Sequence, residues 1–223
     1  MATPHPEWHP LQDPTYDAVM TEANAVLLRE LTEDPVLRAA ILADPRVIHR
    51  RLYAPFAPAS HPEYAGTYRG TPGTSLEHRV MGGPSVLKPG ETVYFAQADL
   101  APTATTKLMA EVRAQMAQVD TPWEQLSTLA YLFATFGAYH PFLDGNGHVQ
   151  RVLFAAAALE MGLPLSNRFA IHPRSYDMLL GVALESYTRD ASRRVEWLAA
   201  VAEYLAQWLA GPFDTPGSGL APL

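Results

Sequence analysis

Cysteine is absent from the 223 residues, which excludes a disulfide framework and any thiolate metal site and leaves the redox compartment unread. Lysine is scarce as well, with only Lys88 and Lys107, and at a formal net charge of -7 with scattered arginines the chain has no basic face for nucleic acid. No run of about 18 apolar residues exists to span a membrane. The opening Met-Ala-Thr-Pro-His-Pro-Glu-Trp-His-Pro has neither a basic start nor an apolar core, so it does not read as a Sec signal peptide. These absences predict a soluble cytoplasmic protein, or one delivered into a host cell as an effector, with no nucleic-acid or membrane partner. No internal repeat is visible, and the length suits one well-buried domain.

What is present concentrates between His140 and Arg151, in His-Pro-Phe-Leu-Asp-Gly-Asn-Gly-His-Val-Gln-Arg. Twelve residues gather a base, a carboxylate, a Gly-Asn-Gly turn and an arginine, between two segments that read as helices. Gly145 and Gly147 can take angles closed to other residues, so the chain can curl with its amides inward, and a helix opening at Gly147 would add its positive end. That is the chemistry of a phosphate site. Upstream, Trp123, Leu126, Leu129, Ala130, Phe133, Phe136 and Gly137 recur at helical spacing, and one more turn reaches His140, which is thereby predicted to point toward the turn. Arg151 falls one turn inside the second helix, within reach of a bound phosphate. Asp144 stands at the mouth, where it could hold magnesium shared with phosphate oxygens.

This stretch resembles the signature of the Fic family, His-Pro-Phe-x-Asp/Glu-Gly-Asn-Gly-Arg-x-x-Arg. His140, Pro141, Phe142, Asp144, Gly145, Asn146, Gly147 and Arg151 match, and His148 stands in place of the first arginine. The His-Pro pair alone carries little, since the chain has five, at His5, His9, His61, His140 and His172. The resemblance covers roughly Leu52 to Leu209 and implies a mainly α fold, a helical bundle with a small β-hairpin flap. It also implies transfer of AMP from ATP, with Mg2+, to a hydroxyl side chain, His140 being the general base. Gly145, Asn146, Gly147, His148 and Arg151 would bind the nucleotide and Asp144 the metal. The target protein would lie along the flap, added as a strand.

Along the chain, residues 1–12 are rich in proline and histidine and read as a flexible arm. Residues 13–210 are expected, from the resemblance, to form a single Fic-like domain. Helices are predicted over Pro14 to Leu31 with Asp13 as cap, Pro35 to Leu42, Pro45 to Leu52, Pro102 to Val119, the two segments flanking the signature, Pro173 to Thr188 and Ser192 to Ala210. Between Gly66-Thr-Tyr-Arg69 and Leu100 the composition changes. Strand formers at Leu76 to Met81 and Thr92 to Ala96 predict a hairpin, the flap, within about residues 66–100; a long surface loop is the alternative. The tail, 211–223, reads as disordered.

Other readings stay open beside the adenylyltransferase. The fold could transfer phosphate, UMP or phosphocholine, or the altered signature could make a nucleotide- or peptide-binding module without turnover. Ligation of a transition metal by His140, Asp144 and His148 would need a continuous helix that Gly145 and Gly147 break. Arg174 and Tyr176 loosely resemble an Arg-x-x-Tyr-Tyr element near the nucleotide in relatives. Many relatives carry an inhibitory Ser/Thr-x-x-x-Glu-Gly/Asn helix, in the same chain or on a separate antitoxin, as in toxin-antitoxin pairs. Ser192-Arg-Arg-Val-Glu196-Trp197 is the nearest match and fails at its last position, which leaves a separate antitoxin as a partner to expect.

Overall fold

The computed structural model describes residues 6–173, 177–211 and 213. Eight α-helices are seen among them: α1 Tyr16–Glu33, α2 Pro35–Ala43, α3 Arg46–Tyr53, α4 Ala101–Met116, α5 Pro122–Tyr139, α6 Asn146–Glu160, α7 Met178–Arg189 and α8 Arg194–Ala206. Their boundaries follow local chemistry. Asp34 accepts hydrogen bonds from the amides of Val36 and Leu37 to open α2, Thr121 and Glu124 form a capping box at α5, and Asp177 accepts from Leu179 and Leu180 at α7. Helix α6 is the centre of the bundle. It packs on α5 along one side and on α1, α2 and α3 along the other, and every residue from Val152 to Ala158 is fully buried. The alanine quartet Ala155 to Ala158 lets the neighbouring backbones come close. Helix α5, also packed by α4, α7 and α8, carries the predicted stripe inward from Leu126 to Phe136, whereas Trp123 stays 41% exposed and meets Phe213 edge-on at 5.0 Å.

The hairpin forms with a different first strand. β1 is Gly82–Pro84, antiparallel to β2 Thr92–Tyr94, with Gly83 opposite Val93. The apolar residues at 76–81 are not a strand, because Leu76 is drawn fully into the core and its carbonyl accepts the Gly70 amide, turning the chain. Pairing begins at Met81, whose carbonyl accepts the Phe95 amide at 3.1 Å. Gly70 itself has φ +82, and a Cβ there would lie 1.6 Å from the Ala98 carbonyl oxygen, so only glycine fits this close approach. The hairpin tip is held by α7. Glu185 accepts from the Ser85 hydroxyl and from the amides of Val86 and Leu87, and pairs with Arg189 at 2.7 Å.

The start of the chain and the end of the last helix differ from the sequence expectation, α8 stopping at Ala206 and not at Ala210. From Pro6 onward the arm is packed: Trp8 is buried, its Nε1 donates to the Phe56 carbonyl at 2.8 Å, and a 3-10 turn follows at Pro10–Gln12. An indole that finds both a core and an acceptor holds its segment down. Past α8, the chain pairs Leu209 with Leu165 in an isolated bridge, which swings Trp208 over the core; of the tail beyond Ala210, only Gly211 and Phe213 are among the described residues.

Candidate active site

The site is built where α5 stops and α6 starts. His140 is the C-cap of α5, in the left-handed region at φ 46 and ψ 60, with its amide donating to the Phe136 carbonyl. Such a conformation costs a non-glycine residue on the order of 1–3 kcal/mol and persists only where the surroundings impose it. Arg69 supplies much of that constraint. Fully buried, it donates to the carbonyls of His140 and Tyr139, both at 2.7 Å, and of Ala96, and its backbone amide donates to Pro141. Two carbonyls at the C-terminus of α5 and one just past β2 receive a cation, which also suits the negative end of the α5 dipole. Burial pulls the guanidinium pKa down to about 10, so it stays charged at neutral pH. Above the ring of His140 lies Phe95, stacked face to face at 3.8 Å and 6°.

The turn after His140 is pinned from beneath. Phe142 is fully buried and stacks on His49 at 3.8 Å and 3°. The Asn146 side chain closes the turn on itself, accepting from the Phe142 amide and donating to the Phe142 carbonyl, both at 2.8 Å. The Asn146 group left facing the mouth of the turn is therefore its backbone amide. Gly145 takes φ +76, and a Cβ there would fall 2.4 Å from the Tyr53 ring; no other residue could lie so low. Gly147 does not need this freedom, because α6 begins one residue earlier than predicted, at Asn146. The amides of Asn146 and Gly147 lie in the first turn, with no carbonyl one turn behind them, and run along the helix axis toward the loop.

His49 fixes the carbonyl side of the same loop. Its Nδ1 accepts the Gly66 amide at 2.8 Å and its Nε2 lies 3.0 Å from the Asp144 carbonyl, so the proton sits on Nε2. Burial drives its pKa down to about 3, against the small opposing pull of the Asp144 carbonyl. Asp144, half-buried at the mouth, accepts the Gly145 amide on Oδ1. One rim carboxylate suits a magnesium ion that takes its remaining oxygens from phosphates and water. Among the described residues, no group of three or more His, Asp or Glu is arranged to hold a metal ion.

His148 and Arg151, both expected to bind the nucleotide, are buried. His148 has Nδ1 2.9 Å from the Tyr53 hydroxyl and Nε2 3.1 Å from Nδ1 of His172. The Tyr53 hydroxyl continues to that of Tyr16 at 3.2 Å. Arg151 has its guanidinium 4.4 Å above the Trp208 ring and donating to the Ala170 carbonyl. Glu196, the candidate inhibitory glutamate, pairs with Arg193 on the exposed start of α8. Arg174 and Tyr176 lie outside the described residues.

Sequence reasoning missed His49, Tyr53, Phe95, His172 and Trp208. A signal existed for two of them, since Ile48, His49, Leu52 and Tyr53 form one buried face of α3. The others meet the site through long-range packing that spacing does not reveal.

No helix among the described residues is long and apolar enough to cross a membrane. Among curated proteins no sequence matches the chain. The Fic/DOC family model matches residues 42–158, more than half of the chain, from the end of α2 through the hairpin and the signature loop into α6. With the fold mainly helical around one hairpin, the chain belongs to the Fic/DOC family.

Proposed function

We propose that the chain is a protein adenylyltransferase, moving the AMP portion of ATP onto a serine, threonine or tyrosine hydroxyl of a protein laid along the β1–β2 hairpin. The observation that carries this reading is the junction of α5 and α6, where a histidine ends one helix and the open amides of the next follow across a tight glycine turn. His140 takes the proton of the attacking hydroxyl on a ring nitrogen. The hydroxyl oxygen forms a bond to the α-phosphorus, the bond to the β-phosphate oxygen breaks on the opposite side, and pyrophosphate leaves. Such transfer is mostly positioning and charge stabilisation. The Asn146 and Gly147 amides and the positive end of α6 meet the phosphates, with Gly145 setting the turn and Arg151 and His148 adding charge from beneath. Asp144 would hold Mg2+, which supplies neutralisation of phosphate charge.

A second reading is favoured by the burial of His148 and Arg151: with both committed to protein partners, the triphosphate tail would be weakly held. A phosphocholine donor linked through a diphosphate, or binding without turnover, would then fit better, while transfer of phosphate or UMP from a nucleoside triphosphate would meet the same weak hold. Parallel incubations with magnesium and ATP labelled at the α- or at the γ-phosphate, followed by mass spectrometry of the protein itself and of candidate targets, decide between them. Adenylylated side chains support the first reading; label transferred only from the γ position, or none, overturns it.

A further inference from the structure

Resting on that reading, we propose that Phe95 is a positioning residue for His140, so that the hairpin which receives the target also sets the plane of the base. The face-to-face stack at 3.8 Å and 6° holds the imidazole against rotation about its Cβ–Cγ bond. A base acts through the in-plane lone pair of a ring nitrogen, so fixing the plane fixes the line along which a hydroxyl must approach.

The backbone around Phe95 makes the coupling rigid. The Ala96 amide donates to the Ala138 carbonyl at 3.2 Å, and the Ala96 carbonyl receives the same Arg69 guanidinium that holds Tyr139 and His140. On the other side, the Phe95 amide donates to Met81 at the root of β1. Phe95 is therefore the last residue of the hairpin pairing and its next neighbour is tied to the last turn of α5. The adjoining Tyr94 is 67% exposed and its side chain points to the other face of the strand, as alternation requires. One strand thus presents an outer face to solvent and an inner face to the base. A target strand that adds to the hairpin and shifts it by a fraction of an ångström moves the wall against which His140 rests. The base is held in line only when the hairpin is seated.

The test compares Phe95→Leu and Phe95→Tyr in the full chain. Phe95 is half-buried on a surface hairpin, and thermal unfolding checks that both variants keep the wild-type fold. Phe95→Leu should lower kcat about tenfold, the scale of a small misplacement of a reacting group, with KM for ATP unchanged, while Phe95→Tyr restores kcat. In NMR spectra, the His140 ring protons should lie upfield in the wild type and in Phe95→Tyr and move downfield in Phe95→Leu. A Phe95→Leu variant with wild-type kcat overturns the inference, as does equal loss in both variants. Should the wild type transfer nothing, the adenylyltransferase reading fails by itself; the ring-proton shifts then decide, and unchanged shifts in Phe95→Leu overturn the positioning role.

Discussion

His148 and His172 face each other Nε2 to Nδ1 across 3.1 Å, their rings stacked at 30°. The exposed carboxylate of Asp17 lies 3.8 Å beyond His172, and Tyr53 closes the other end. Burial lowers the His172 pKa, with Asp17 pulling the other way, so the free protein resists charging His172. A bound polyphosphate at the start of α6 would favour the charged form, and binding would then take up a proton. ATP should therefore bind more tightly as pH falls from 8 toward 6. A charge-assisted hydrogen bond exceeds a neutral one by roughly 1 kcal/mol, which is about a factor of five to ten in affinity. His148→Arg should remove the pH dependence, and calorimetric titration with ATP and magnesium at several pH values reads both outcomes.

His140→Ala should lower transfer by about 10² to 10⁴, the usual cost of losing a general base, while ATP binding stays near wild type. Asp144→Ala should raise the magnesium concentration needed for half-maximal rate. Modification rates and a metal titration on each variant check the two assignments separately.

Acid should loosen the signature loop through His49. Its folded pKa of about 3 lies below the unfolded value of about 6.5, so the unfolded chain takes up the proton first. The stability it contributes is whole above pH 6.5 and declines as pH falls from there toward 3, by an amount on the order of several kcal/mol. His49→Phe keeps a ring against Phe142 but loses the bonds to Gly66 and Asp144. Urea denaturation of this variant should show lower stability at pH 7 and a flatter slope between pH 6.5 and 4.

Arg69→Met should destabilise the protein by roughly 3 kcal/mol or more, because three carbonyls lose their donor in a buried setting. Its hydrogen exchange should quicken most at Ala96 and His140, whose amides sit on the elements that Arg69 joins. Uniform loss of protection across all helices would point to a purely global role.

Glu196→Gly should leave transfer within about twofold of the wild type, since Glu196 is paired with Arg193 on an exposed helix end and exposed pairs contribute roughly 0–1 kcal/mol. A large rise in rate would instead mark Glu196 as an internal brake.

Local chemistry was legible in the sequence where the residue itself imposes it. Asp34 and Thr121 start helices α2 and α5, and Gly145 needs φ +76; each could be read from residue type and position. Side-chain destinations were not. Asn146 looks like a phosphate ligand, yet its amide goes to Phe142 four residues back, a bond that depends on the path of the turn. β1 was hidden because its residues are glycine and proline, which read as punctuation and pair only because Leu76 and Phe95 fix the register. His172 meets His148 only because the chain after α6 doubles back, which no periodicity encodes.

The Glu185 contact with the hairpin tip and the Trp208 stack on Arg151 both come from residues beyond 158, where the family match stops. A fragment trimmed to the matched residues would strip α7 and α8 from α5, exposing Phe133, which Trp208 covers edge-on, and releasing the flap. A fragment that holds the site in shape should therefore extend through Leu209, and shorter expression fragments should be insoluble or inactive for reasons unrelated to the signature itself.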